Sequence, residues 1–309
     1  YDEDWNQLID GNVGIFDLNN PVNRKRDITS YDLGPLFSPS KTLYETYGGY
    51  IQNIITWKKI QLMLSLRRDQ FTVPESSDEI SGLGQEDRQS AWLPRLGITY
   101  SLSEKTNLYG TFNQGYQPVS ARTNLNEAFG GPFDPLYSRL YEIGLKGEYF
   151  ENRLLATLSM YDLTNNNVII NANDPGNPDL LEQRGEERST GIEVELAGRI
   201  TANLSIQANY AYNHARITES NNDEEIGLDK EQAPRHSSGS WIKYNFPDGR
   251  LTGFSISLGD SHLSSRRTFD KFSNGTWLRI PSYTIFNGAL NYSVDRFKIS
   301  FNLNNITDK

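Results

Sequence analysis

Apolar and polar side chains alternate with a period of two along much of this sequence, so each such stretch predicts a β-strand with one apolar and one polar face. Between Arg95 and Leu102 the apolar set is Leu96, Ile98, Tyr100 and Leu102, set against Arg95, Gly97, Thr99 and Ser101. Tyr141, Ile143, Leu145 and Tyr149 oppose Glu142, Gly144, Lys146 and Glu148. Ile192, Val194 and Leu196 oppose Glu193 and Glu195, and Leu204, Ile206, Ala208, Tyr210 and Tyr212 oppose Ser205, Gln207, Asn209, Ala211 and Asn213. Phe297, Ile299, Phe301 and Leu303 oppose Lys298, Ser300, Asn302 and Asn304. The runs are about eight to eleven residues, the length a tilted strand needs to cross a hydrocarbon layer. About twelve strands are predicted on this basis, centred near Tyr50, Leu64, Ile98, Phe112, Leu145, Leu158, Val194, Ala208, Ile242, Ile256, Leu290 and Phe301. No helical period competes.

The connections follow a rule of their own. Short polar breaks fall at Trp57-Lys58-Lys59, Ser103-Glu104-Lys105, Glu151-Asn152-Arg153, Thr201-Ala202-Asn203, Pro247-Asp248-Gly249 and Asp295-Arg296. Long stretches rich in Gly, Pro, Asn and Asp lie between them: Thr72 to Ala91, Gln117 to Ser138, Asn165 to Arg184, Thr218 to Arg235 and about Gly259 to Ser282. Short and long alternate strictly. Outer-membrane barrels are built this way, with tight periplasmic turns and long extracellular loops, whereas long structureless loops count against a compact soluble domain. The expectation is an all-β, transmembrane antiparallel β-barrel. The segment before Thr42, with Gly11, Gly14, Pro21, Gly34, Pro35 and Pro39, is predicted to be a further loop.

Composition sharpens this picture. The sequence is 36% hydrophobic, with no run of about 18 apolar residues, so no transmembrane helix is expected. A barrel strand escapes that test, because only alternate residues face lipid. Seventeen Tyr and fourteen Phe suit strands and membrane interfaces, and Trp57, Trp92, Tyr100, Tyr109, Tyr149 and Tyr292 near strand ends are candidates for interfacial girdles. A net charge of −9 argues against nucleic acid as a partner. With no Cys there is neither a disulfide nor a thiolate metal site. His214, His236 and His262 lack metal-site spacing, and no nucleophile elbow, phosphate loop or zincin motif occurs, so no catalytic, metal or cofactor-binding residue is expected. The carboxylates Glu142, Glu148, Glu193 and Glu195 read as solvated lumen lining, and the acidic loop Thr218 to Arg235 as a segment that repels and solvates. The N-terminus shows neither the basic nor the apolar region of a signal peptide.

Several phrases together resemble the C-terminal barrel half of TonB-dependent siderophore receptors. They are TYGGYIQNIITWKKIQLMLSLRRDQF, WLPRLGITYSLSEKTNLYGTFNQGYQP, SRLYEIGLKGEYFENRLLATLSMYDLTNNNV, QRGEERSTGIEVELAGRITANLSIQANYAYNHARIT, APRHSSGSWIKYNF and PSYTIFNGALNYSVDRFKISFNLNNITDK, in the family's order. The resemblance implies one barrel domain over 1–309, truncated at both ends: about 12 of about 22 strands, without the plug domain. It implies a protein of the cell outer membrane of a Gram-negative bacterium, in contact with outer-membrane lipid. It also implies import of a ferric siderophore into the periplasm, driven by the TonB-ExbB-ExbD complex, with iron arriving as chelated cargo and no covalent chemistry. Cargo such as cobalamin or haem, a passive porin-like barrel and a soluble β-sandwich binding module remain open alternatives. Recognition is expected in the loops. Arg122, Phe133 and Tyr137 in one loop, with Arg266, Arg267 and Phe269 in another, could stack on and hydrogen-bond an aryl- or hydroxamate-type chelate. Phe129 and Phe272 accompany them.

Overall fold

The computed structural model describes residues 41–42, 44–73, 76–77, 87–120, 123–124, 127–172, 174, 176–272 and 275–308. The predicted loop before Thr42 and the candidate Arg122 lie outside them. Sixteen strands are described: β1 (Lys41–Thr42), β2 (Glu45–Trp57), β3 (Ile60–Val73), β4 (Ser76–Ser77), β5 (Asp87–Ser101), β6 (Thr106–Gln117), β7 (Leu136–Tyr149), β8 (Leu154–Asn171), β9 (Leu181–Arg199), β10 (Leu204–Glu219), β11 (His236–Asn245), β12 (Phe254–Leu263), β13 (Arg266–Lys271), β14 (Trp277–Ile280), β15 (Tyr283–Val294) and β16 (Phe297–Leu303). Twelve of them form one antiparallel meander in the order β16-β15-β12-β11-β10-β9-β8-β7-β6-β5-β3-β2. Each predicted centre falls in its own strand of this sheet. The sheet is open, with β2 and β16 at its edges. Two small ribbons, β1 with β4 and β13 with β14, lie apart from it.

All six short breaks fall in connections on one end of the sheet. The tightest are the two-residue links after β2 and β15, where Lys58 and Asp295 take positive φ of 53° and 48°. Elsewhere side chains close the turn. The Ser103 hydroxyl accepts from the amides of Lys105 and Thr106, and Thr201 does the same for Asn203 and Leu204. At the other end the strands run further than predicted. β8 and β9 reach 18 and 19 residues, leaving a loop of only residues 172–180. Alternation fades above the lipid because both faces are then wet, yet backbone pairing resumes in the same register after a gap at Asn167 and continues to Asn171 and Leu181.

The register separates two faces. Leu64, Leu96, Phe112 and Tyr141 are successive cross-strand neighbours on the outward face. The same row continues through Asp162 and Thr190 to His214, where it has become polar. On β10 the apolar residue in line with Ile242 and Leu258 is Ile206, eight residues below His214. Leu66, two residues above Leu64, therefore stands ten residues higher in register than Leu258, its aliphatic counterpart eight strand steps away. At ~3.3 Å per residue and ~4.8 Å between strands, that slide corresponds to a strand tilt of roughly 40°, the value membrane barrels adopt.

The inward face is polar and carries large rings laid over glycines. Tyr109 pairs with Gly144, Tyr161 with Gly191, and Trp241 with Gly259 across neighbouring strands. Glu142, Glu193 and Glu195 share this face, and the Tyr109 hydroxyl donates to Glu142 at 2.6 Å. Tyr109 is therefore lumen lining and not a girdle residue. Trp57, Tyr100, Tyr149 and Tyr292 do stand near the short turns on the outward face, with Trp92 near the opposite rim.

Candidate functional site

The loop end of the sheet is stitched into one layer by side chains that imitate backbone. A primary amide carries one donor group and one acceptor, as a peptide does. Gln89 donates to the Val119 carbonyl at 3.0 Å and accepts from the Val119 amide at 2.9 Å, fastening the loop of residues 118–135 to the top of β5. Gln183 on β9 repeats the device at the other end of that loop, accepting from the Asp134 amide at 3.0 Å and donating to its carbonyl at 2.6 Å. Asn167 donates to Pro135, and Asn221 reaches across to the Gln183 carbonyl at 3.2 Å. The loop of residues 220–235 is thereby attached to the β8–β9 hairpin.

An ionic cluster completes the layer. Arg184, 2% exposed at the top of β9, donates through Nη1 to Glu187 at 2.6 Å and through Nη2 to Glu225 and Glu231, each at 3.2 Å. Arg267 of β13, 3% exposed, donates to Glu231 at 2.6 Å and to the Asp229 carbonyl at 2.8 Å. Lys230 pairs with Glu187. Three cations thus meet three carboxylates. The acidic loop does not merely repel: two of its glutamates neutralise Arg184, 41 and 47 residues away. Local sequence gave no signal for this, because the partners are brought together only by sheet order.

Burial works to raise the Glu231 carboxyl, but hydrogen bonds from Arg184 and the attraction of Arg184 and Arg267 outweigh it and the net shift is downward from 4.5. A carboxylate lowered on folding contributes stability above its unfolded value, and loses it as pH falls through the lower folded one. Acidification below about 4.5 is therefore expected to increase amide exchange in residues 220–235 of the full receptor, while the membrane-level strands stay protected. Unchanged exchange between neutral pH and pH 3 would count against the cluster's role.

The predicted loop residues separate. Phe133 is buried under its loop, its amide donating to Asn124. Tyr137 stacks on Tyr116, ring centroids 5.6 Å apart, and the register puts it on the outward face two residues from Arg139 and four from Tyr141. Arg266, Arg267 and Phe269 do come together on the β13–β14 hairpin, but point apart. Arg267 faces inward to the ionic cluster, with its guanidinium 4.2 Å from the Trp277 ring centre, whose other cation is Lys271 at 4.3 Å. Arg266 donates to Gln232 at 3.3 Å. Phe269 and Phe272 stand 63% and 54% exposed, two aromatic rings on a hairpin whose base is locked. The histidines occupy three adjacent strands of the outward face, His236 bonded to Tyr210 and His262 to Thr284.

Comparison with known proteins follows the same lines. The family description "TonB dependent receptor-like, beta-barrel" matches residues 1–306. The chain belongs to the TonB-dependent receptor β-barrel family. This makes it an outer-membrane protein. Among relatives of this receptor barrel, the ferrichrome outer membrane transporter/phage receptor of Escherichia coli K12 is 26% identical over 310 residues, covering 97% of the chain and 39% of the relative. The ferrioxamine B receptor of Salmonella typhimurium is 23% identical over 279 residues, 89% of the chain and 38% of the relative. The chain thus spans about two fifths of the length of these curated relatives. The pyoverdine outer membrane receptor FpvA of Pseudomonas aeruginosa PAO1 shares the fold, with a TM-score of 0.75 at 19% identity over 93% of this chain and 41% of that one.

Proposed function

We propose that this chain supplies wall, lumen lining and extracellular gate of a receptor that imports a ferric siderophore into the periplasm. The observation carrying this is the locked hairpin that carries the exposed Phe269 and Phe272 together with Arg266 at the loop end of the sheet. Exposed rings give stacking surface and a guanidinium gives charge-assisted hydrogen bonds, the combination an anionic or aryl-bearing chelate needs. The names of the ferrichrome and ferrioxamine B relatives support the cargo class. In this reading iron(III) is cargo held by its chelator, and the TonB-ExbB-ExbD complex provides the energy. The barrel residues bind, orient and enclose; they make and break no covalent bond.

The test is growth rescue. A strain lacking this receptor and starved of iron should regain growth on at least one ferric siderophore when the full receptor is restored. Phe269→Ala with Phe272→Ala should lower uptake of that chelate roughly tenfold at equal surface amount, the scale of losing two stacking contacts. Rescue by cobalamin alone, with every ferric chelate failing, would sink the cargo assignment.

A further inference from the structure

The tip of the β8–β9 hairpin is a short tongue. The ladder pauses between the pairs Asn166–Glu186 and Val168–Arg184, where Asn167 takes a positive φ of 62°. Four register pairs lie beyond the pause, from Val168 with Arg184 to Asn171 with Leu181. Two strands of that length are marginal alone, so side chains from elsewhere decide where the tongue sits.

Those anchors lie on both of its sides. Adjacent residues of an extended strand point opposite ways, and Gln183 and Arg184 reach different loops. Gln183 exchanges its two hydrogen bonds with the backbone of Asp134. Asn177, at the turn of the tongue, donates to the Ala128 carbonyl at 3.2 Å. Leu180 lies so near Gly130 that a Cβ there would stand 2.8 Å from its Cδ1. On the other side Arg184 holds Glu225 and Glu231, and Glu231 holds Arg267 of the β13–β14 hairpin. The Gln232 amide adds a bond to the Arg267 carbonyl at 2.9 Å. A continuous route thus runs from Asp134 through Gln183, Arg184 and Glu231 to Arg267.

We propose that the tongue is a two-sided clasp, pivoting at Asn167 and Gly185, that makes residues 127–135 and the β13–β14 hairpin parts of one lid. When the hairpin is displaced, the tongue follows Arg184 and releases Asp134. When cargo steadies the hairpin, the tongue holds residues 127–135 closed, although the cargo need not touch them. Gln183 is then a positioning residue for a site it does not line. The inference rests on the hairpin's being the recognition element proposed above.

Hydrogen exchange of the full receptor in detergent, without cargo, tests the clasp. R267Q cuts the far end of the route. It should raise exchange in residues 127–135 about fivefold, as well as in 220–235. Q183A with N177A should raise it by a similar factor, and adding R267Q to that pair should change it little more, because the clasp is already open. Q89A is the control. It loosens the other end of the same loop, whose anchor is on β5, and should leave the R267Q effect at full size. R267K keeps the charge beside Glu231 and should restore most of the protection. All these variants should still migrate as folded, heat-modifiable barrels, since none touches the membrane-level sheet. Exchange in residues 127–135 that R267Q does not move would overturn the clasp and leave the cargo reading standing. So would an R267Q effect equally large with and without Gln183 and Asn177. Growth restored by no ferric chelate would overturn the cargo reading and the closure drawn from it, whatever the exchange cycle shows.

Discussion

Replacing Arg184 with methionine should loosen the extracellular layer and leave the membrane-level sheet intact. Arg184 makes contacts to Glu187, Glu225 and Glu231 from a position 2% exposed. Methionine keeps the length and apolar stem but leaves Glu187 and Glu231 buried with one cation fewer. Removing one member of a buried ion network costs roughly 3–5 kcal/mol, because the remaining charge is stranded. The loss falls on two connections at once, since Glu231 also holds Arg267 and through it the β13–β14 hairpin. Limited proteolysis of the full receptor should therefore cut residues 220–235 and 264–282 about a hundredfold faster or more, at one decade per ~1.4 kcal/mol. Heat-modifiable migration should not change. Cleavage at the wild-type rate would show that the layer is held by something else. Arg188→Met, at a half-exposed pair with Asp162, is the control and should have a much smaller effect.

The second large effect belongs to the lumen glycines. Gly191→Val should reduce assembly of the barrel, because a Cβ there would lie 2.6 Å from the Tyr161 ring and closer still to the Tyr212 carbonyl oxygen. A ring can swing away, but the backbone of the next strand cannot without breaking the pairing on both sides of β10. Overpacking of this kind costs about 1–3 kcal/mol, and more where backbone must shift. Gly49→Ala on β2, where nothing lies within 4 Å, should be neutral. The readout is the fraction of receptor migrating as the folded species. Equal fractions for the two variants would refute the ring-over-glycine account.

The sheet was legible because lipid imposes a strict rule on every second residue. All twelve strands, the six tight turns and the lumen placement of Glu193 and Glu195 follow from that alternation. Its reach ends where the lipid ends. Above Asp162 and Thr190 both faces of a strand are wet, so the sequence NNNVIIN of β8 carries no period although all of it but Asn167 is paired. The loop layer was illegible for a different reason. Gln89 and Val119, Gln183 and Asp134, or Arg184 and Glu231 are ordinary polar residues in sequence, and only the order of strands makes them neighbours. Choosing Arg and aromatic residues by type found the exposed rings Phe269 and Phe272. The same criterion could not tell Arg267, committed to Glu231 and Trp277, from Arg266 one position earlier.

The constant register from Leu154 to Asn171 against β9 has a consequence for how such a wall can change over generations. Deleting one residue inside β8 would turn Tyr161 and Ser159 toward lipid and Met160 and Leu158 toward the lumen, a whole-strand inversion. Losing two would only shorten it. Insertions and deletions that survive within the strands of this lineage should therefore come in even steps, while odd ones collect in residues 172–180 and 246–253. A tally of strand lengths across relatives that mixed odd and even steps freely would contradict this arithmetic of inheritance.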